Sequence, residues 1–314
     1  MKRFLILLAA IALPASAVWA NRPKTLNAVE DAYPAISPGG RTMVFQSNRL
    51  GRVALFFADA DGANPRLFID PGHEPVSPNW SPDGRHITYA GTIDGDSEVF
   101  IVDVATKSSR RLTSSKSDDS HPIFSPDGQR IYFSSNRHTP DMSIPWGRQW
   151  NDTFSIRLDG SDIRQHTNCR AACTYPAPSP DGKQLAYRKL APEPGLQWGF
   201  YTMPLNSQIY VSNIDGSNER VLASDPAFDG WPAWSPDGRL IAFASNRAGP
   251  AGIGNIWLIR PDGSGLTALT TGEEISHTQP RWAPDSSKIY VAQGWDQTGA
   301  IGVIDVPSSV AAKP

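Results

Sequence analysis

Cysteine is almost absent from the 314 residues, with only Cys169 and Cys173 present. That excludes a disulfide-framed mini-protein and a four-cysteine zinc site. Histidine is scarce as well, at six. Basic charge is not in excess: 29 Lys and Arg stand against 31 Asp and Glu, for a net charge of −2. Nucleic-acid binders cluster Lys and Arg on one face, so nucleic acid is not expected as a partner. No apolar run reaches the roughly twenty residues a transmembrane helix needs, so the mature chain should have no membrane span. A Gly-x-Ser-x-Gly nucleophile elbow is missing too, and no hydrolase domain is in view.

What is present begins with a short export signal. Lys2 and Arg3 precede an apolar run from Phe4 to Leu13, and Ala15-Ser16-Ala17 and Val18-Trp19-Ala20 offer small-x-small cleavage sites. This pattern reads as a signal peptide over residues 1–20, with residues 21–314 forming the mature domain. The expected location is periplasmic or secreted, soluble after the leader is removed. In such a compartment the pair in Cys169-Arg170-Ala171-Ala172-Cys173 reads first as a disulfide, with free thiols or half of a metal site as the alternatives.

One string recurs six times: Ser37-Pro38-Gly39-Gly40, Ser81-Pro82-Asp83-Gly84, Ser125-Pro126-Asp127-Gly128, Ser179-Pro180-Asp181-Gly182, Ser235-Pro236-Asp237-Gly238 and Ala283-Pro284-Asp285-Ser286. The spacing, about 44 to 56 residues, is that of propeller blades. Three residues before each string stands Pro34, Pro78, Pro122, Pro176, Pro232 or Pro280, and these prolines are expected to open a strand, where a missing N–H costs least. Pro-Asp-Gly then reverses the chain, because proline presets φ and glycine takes the positive φ of a tight turn. Alternating pairs such as Ile87/Tyr89 and Ile241/Phe243 predict a second strand with one packed face. A third apolar run and a short fourth strand complete a four-stranded antiparallel unit. The fold class is therefore all-β, a six-bladed β-propeller. The last unit lacks a fourth strand, while Lys24 to Val29 stand in surplus before the first. Those residues are expected to complete the last blade and hide its edge.

The Ser-Pro-Asp-Gly strings, the aromatic residues that precede them (Trp80, Phe124, Trp234, Trp282) and the recurring Ser47-Asn48-Arg49, Ser135-Asn136-Arg137 and Ser245-Asn246-Arg247 resemble the repeats of the TolB-like propellers. The resemblance runs through nearly all of the chain after residue 20. TolB itself, the periplasmic partner of the Pal lipoprotein, has an α/β domain before its propeller, and this chain resembles the propeller part alone. Similar propellers precede hydrolase domains in prolyl-oligopeptidase-type enzymes. Oligogalacturonate lyases also resemble this fold and use His and Gln ligands for a divalent metal.

In a four-stranded blade, the loops into strand one and those from strand two to three share a face, opposite the uniform Asp-Gly turns. That variable face is where function is expected. The residue before each strand-one proline is Tyr33, Ser77, His121, Tyr175, Trp231 or Gln279, expected near the channel mouth. Longer loops add Trp146 and Trp150, then Trp198, Phe200 and Tyr201. Acids gather there as well: Glu30, Asp31, Asp118, Asp119, Asp225, Asp229, Glu273 and Glu274. Aromatic platforms beside carboxylates suit peptides and sugar rings. The expected function is a non-catalytic, monomeric binding propeller of the cell envelope, without a cofactor, whose ligand is an envelope protein, a peptide or a glycan. The alternative is a metal-assisted enzyme acting on polysaccharide, in which His121, His277 and Gln279, with His73 as a looser fourth, hold a divalent cation.

Overall fold

Each Ser-Pro-Asp-Gly string folds as its residues prescribe. In the second repeat the Ser81 hydroxyl accepts from the His86 N–H at 2.9 Å and donates to Asp83 at 2.6 Å, while Asp83 accepts from the Arg85 N–H at 3.0 Å. Gly84 closes the turn at φ 71°, in the left-handed region that costs glycine nothing. The same serine–aspartate hydrogen bond recurs at Ser125, Ser179 and Ser235. The sixth repeat replaces glycine by Ser286, which holds φ 60° in the same turn.

These turns join the inner two strands of six sheets. In the computed structural model, the described residues are 29–144, 148–190, 206–249, 252–294 and 299–307. Blade 1 comprises β1 (Asp31–Ile36), β2 (Thr42–Ser47), β3 (Ala54–Asp59) and β4 (Arg66–Ile69). Blade 2 comprises β5 (Pro75–Trp80), β6 (His86–Ile93), β7 (Asp96–Asp103) and β8 (Ser109–Arg111). Blade 3 follows with β9 (Asp119–Phe124), β10 (Arg130–Ser135), β11 (Asp152–Arg157) and β12 (Arg164–Gln165). Blade 4 has β13 (Cys173–Pro178), β14 (Gln184–Leu190), β15 (Ser207–Asn213) and β16 (Arg220–Val221). Blade 5 has β17 (Asp229–Trp234), β18 (Ile241–Ser245), β19 (Asn255–Ile259) and β20 (Thr267–Ala268). Blade 6 shows three strands among the described residues: β21 (His277–Trp282), β22 (Lys288–Gln293) and β23 (Ala300–Asp305). Every sheet is an antiparallel meander, so the expected six-bladed, four-stranded architecture is present.

The core lies between blades rather than inside them, because each sheet is apolar on both faces. Val44 and Leu55 of blade 1 share one buried cluster with Ile87, Tyr89 and Phe100 of blade 2. Met43, Phe45 and Phe56 of blade 1 share another with Ala283 and Tyr290 of blade 6. The tryptophan before the turn is a tie between blades. Trp80 donates its indole N–H to the Ala35 carbonyl at 3.1 Å and stacks on Phe57, both in the preceding blade. Trp234 and Trp282 do the same to Ala177 and Ala233.

Blades 6 and 1 meet through the same joint as blades 3 and 4 and blades 5 and 6. Cys173 donates its backbone N–H to Asn151, and His277 donates to Gly254. Asp31 likewise donates to Gly299 of blade 6, at 2.9 Å. Of the closing strand expected over Lys24 to Val29, all but Val29 lies outside the described residues, as does the signal peptide. No helix among the described residues is long and apolar enough to cross a membrane.

One expectation needs correction. The repeated prolines do not open their strands; Pro34 and Pro122 are each the fourth residue of six. In all six innermost strands the ladder breaks at this point, between Ala32 and Ala35 in blade 1 and between Gly230 and Ala233 in blade 5, for example. A bulge leaves two residues unpaired, so a residue without an N–H is tolerated in mid-strand.

Candidate functional site

The six bulges build the wall of the central channel. At each, the pre-proline residue takes a left-handed conformation: Tyr33 at φ 52°, Ser77 at 54°, His121 at 53°, Tyr175 at 59°, Trp231 at 55° and Gln279 at 53°. This costs bulky side chains on the order of 1–3 kcal/mol each, and such strain persists only where the surrounding structure enforces it. A bulge re-aims its side chain, and here residues from different blades meet. The His121 and Tyr175 ring centroids are 3.7 Å apart, and Tyr175 meets Trp231 edge-on at 5.6 Å. Trp231 in turn packs on Phe228. Tyr33 donates its backbone N–H to the Gln279 side-chain oxygen at 2.8 Å, linking blades 1 and 6.

At three of the bulges the freed N–H finds a side-chain acceptor on the preceding blade, Tyr33 among them. Ser77 donates to Gln46 Oε1 at 3.2 Å, and Tyr175 donates to Ser134 Oγ at 3.1 Å. The matching position of blade 4 holds Arg188, opposite Thr174 in the ladder. Its side chain is fully buried, its Nε donates to Thr174 Oγ1 at 3.0 Å, and its guanidinium lies 5.0 Å from the Tyr175 ring centre.

Electrostatics at this ring are set by burial and by two arginines. His121 is pushed down to about 3, first by burial and then by the positive charges of Arg188 and Arg281. Burial also lowers the pKa of Arg281, while the Tyr33 and Tyr175 hydroxyls act the other way. Both His121 and Arg281 are enclosed by the ring yet keep partly accessible surface, as groups on a channel wall do. A recess of about 290 Å³ reaches Arg281 from the Pro-Asp-Gly side, between Pro38, Pro82, Pro126 and Pro180.

The sequence candidates fall into distinct places. Tyr33, His121, Tyr175, Trp231 and Gln279 stand together on the six-residue ring. Trp150 is half-buried in the loop after β10, its backbone pinned to the Thr139 hydroxyl. Trp146, Trp198, Phe200 and Tyr201 lie outside the described residues. Of the metal candidates, Gln279 is engaged with Tyr33, and His277 Nε2 stands 3.2 Å from the Gln293 amide. His73 is half-buried and packs tilted against Phe100, with ring centroids 4.5 Å apart. No group of three or more His, Cys, Asp or Glu among the described residues is placed to hold a metal ion. Cys169 and Cys173 are joined by a disulfide, with Cα atoms 6.3 Å apart.

Part of the acidic signal is structural. Arg49, Arg137 and Arg247 of the Ser-Asn-Arg strings each pair with an acid in their own blade: Asp31 at 2.8 Å, Asp119 at 2.9 Å and Asp229 at 2.6 Å. The asparagines accept the backbone N–H of Glu30, Asp118 and Phe228. These strings fasten the loop that leads into each innermost strand. Arg188, Arg281 and Gln46 were not singled out in the sequence, because no repeat marks them.

Comparison with known proteins agrees with this fold. A TolB homologue of Chlorobium luteolum is 27% identical over 141 residues, which is 45% of this chain and 28% of that protein. The chain spans under a third of the length of the curated relatives it matches. The solved structure of a TolB-like protein from Agrobacterium tumefaciens covers 88% of the chain and 90% of its own, with a TM-score of 0.62 at 19% identity. An oligogalacturonate lyase in complex with manganese covers 91% of this chain and 92% of its own, with a TM-score of 0.59 at 12% identity. The family described as the tricorn protease N-terminal β-propeller domain matches residues 55–294. With most of the ring inside that match and six blades around one channel, the chain belongs to the tricorn N-terminal β-propeller family.

Proposed function

We propose that this chain is a non-catalytic binding propeller of the cell envelope, which receives a protein, peptide or glycan at the ring around its channel. The observation that carries this reading is the contact of His121, Tyr175 and Trp231 across three blades, each held in a strained left-handed conformation. Aromatic faces with polar edges are suited to peptide backbones and sugar rings. The basic start and apolar run of residues 1–20 support export, and the kinship with a TolB homologue supports an envelope setting. The test is capture from an envelope extract of the source cell on immobilised protein, paired with a glycan array. Ligand retained by the parent and lost by Tyr175→Asn supports the reading. Equal retention by both overturns it.

A metal-assisted reaction on a polysaccharide is the second reading. It is favoured by His277, whose Nδ1 is buried without a hydrogen-bond partner among the described residues, two residues from Gln279. If it holds, manganese raises the melting temperature of the parent but not of His277→Ala.

A further inference from the structure

Two guanidinium groups at the ring stand without a carboxylate partner among the described residues. Elsewhere the fold pairs its enclosed arginines with acids: Arg49, Arg137 and Arg247 each hold an aspartate. Arg188 forms no ion pair among the described residues, and its Nη2 is buried with no acceptor. Among the described residues Arg281 has one hydrogen bond, to the adjacent Pro280 carbonyl at 3.5 Å, and no ion pair. Leaving a buried cation uncompensated costs several kcal/mol, so a chain that keeps Arg188 buried and Arg281 half-buried beside it needs a reason.

Arg188 departs from the pattern at its ladder position. At the same ladder position blades 1 and 3 carry acceptors, Gln46 and Ser134, which take the N–H of the next blade's pre-proline residue. Blade 4 carries a group made only of donors. Gly230 of the next blade lies beside it: an added Cβ there would press on the Phe228 ring at 3.0 Å and sit in ordinary contact with Arg188 Cδ at 3.7 Å. The guanidinium is held between the Tyr175 and Phe228 rings, at 5.0 and 5.4 Å, so it is fixed rather than free to swing.

We propose that the central channel is a carboxylate site. Arg281 contacts the ligand at the head of the recess, and Arg188 behind Tyr175 supplies the second positive charge. Arginine fits this role because its planar fork matches the two oxygens of a carboxylate. The recess of about 290 Å³ is walled by prolines and the edges of Trp80 and Trp282. It suits one ring-sized acidic unit, at the small end of ligand sites. The shared chemistry is a carboxylate on a compact body, whether a chain-terminal residue or a sugar acid. This inference rests on the binding reading above and narrows it.

Titration calorimetry on the full chain decides it, with two acid and neutral pairs as probes: N-acetylphenylalanine against its amide, and galacturonate against galactose. In at least one pair the acid should bind at least tenfold more tightly than its neutral partner. The pair that discriminates identifies the source. Arg281→Gln should weaken the acid roughly tenfold or more, and Arg281→Lys should lose less, since it keeps the charge without the fork. The acid should also weaken as salt is raised. Equal affinity within both pairs, or no binding by either acid up to tens of millimolar, overturns the proposal without any variant. Full-strength binding by folded Arg281→Gln overturns it as well. If an envelope partner binds parent and Arg281→Gln alike, the carboxylate site falls and the binding reading stands. If acids bind while no envelope ligand is ever retained, the binding reading falls alone.

Discussion

Asp119 is fully buried at the start of blade 3, and both its oxygens accept from Arg137 Nη2, at 3.1 and 2.9 Å, across the two innermost strands. Arg137 also lies 4.6 Å over the Phe154 ring. The pair fixes the loop that delivers His121 to the channel, so scaffold and site are coupled here.

Asp119→Asn should therefore be costly. Removing one partner of a buried pair leaves the other charge uncompensated, which typically costs about 3–5 kcal/mol. Partial exposure of Arg137 argues for the lower end of that range. Urea denaturation checks it, and a loss below about 1 kcal/mol would show that the Ser-Asn-Arg strings are not fastenings.

His121 sets a pH dependence. Its folded-state pKa is depressed to about 3, while an unfolded histidine titrates near 6.5. Below about 6.5 the unfolded chain takes up a proton that the folded ring accepts only near 3. Stability should then fall as pH drops through that window, by at most about 1.4 kcal/mol per unit. Comparing the parent with His121→Gln at pH 7 and pH 5 isolates this group from the others that titrate there. The parent should lose on the order of 2 kcal/mol more than the variant. Parallel curves would mean that His121 is solvated and charged.

These two cases show how much the sequence could reveal. The blades were legible because Ser-Pro-Asp-Gly is local chemistry: Ser81, Asp83 and Gly84 complete their turn within six residues. The Arg–Asp pairs were legible in principle, since each arginine stands 18 residues after its aspartate in three blades. The left-handed ring was not legible. A residue before proline ordinarily reads as extended, and only the packing of neighbouring blades imposes the opposite at Tyr33 or Trp231. Arg188 was invisible for another reason: its meaning lies in replacing the acceptor that Gln46 and Ser134 supply elsewhere, which requires the ladder register.

Closure gives a third prediction. β23 is the outermost described strand of blade 6, and Val303 on it is well exposed. If Lys24 to Val29 covers that edge, deleting those residues exposes a strand able to pair with other chains. Light scattering after size exclusion should show aggregation, and the melting temperature should drop. A monomeric variant as stable as the parent would remove the closing strand from the argument.

The disulfide should matter little. It closes a very short loop, so the chain-entropy estimate is only about 2 kcal/mol. The loop is also held by Asp152, which accepts from the Cys169 N–H at 2.8 Å and from the Thr167 hydroxyl at 2.9 Å. Replacing both cysteines by serine should lower the melting temperature by no more than several degrees. Intact mass after alkylation, with and without prior reduction, should show the bridge in protein from an oxidising compartment.

The last prediction separates binding from packing at the ring. Tyr175 holds φ 59°, a conformation that asparagine adopts far more readily than an aromatic residue. Tyr175→Asn therefore relieves backbone strain while removing the ring that contacts His121 and Trp231. The two effects oppose each other in stability, so the net change should stay within about 1 kcal/mol. In binding both are lost to the ligand, and removal of a central aromatic commonly costs about 2 kcal/mol, roughly thirtyfold in affinity. Trp80→Ala is the control, because its indole ties blade 2 to the Ala35 carbonyl and packs on Phe57. It should cost about 3–5 kcal/mol of stability. If Tyr175→Asn instead melts as early as Trp80→Ala, the aromatic ring is core that happens to line a channel. Strain at six positions would then need a purely structural cause. If Tyr175→Asn keeps both its stability and its ligand, recognition takes place elsewhere on the propeller.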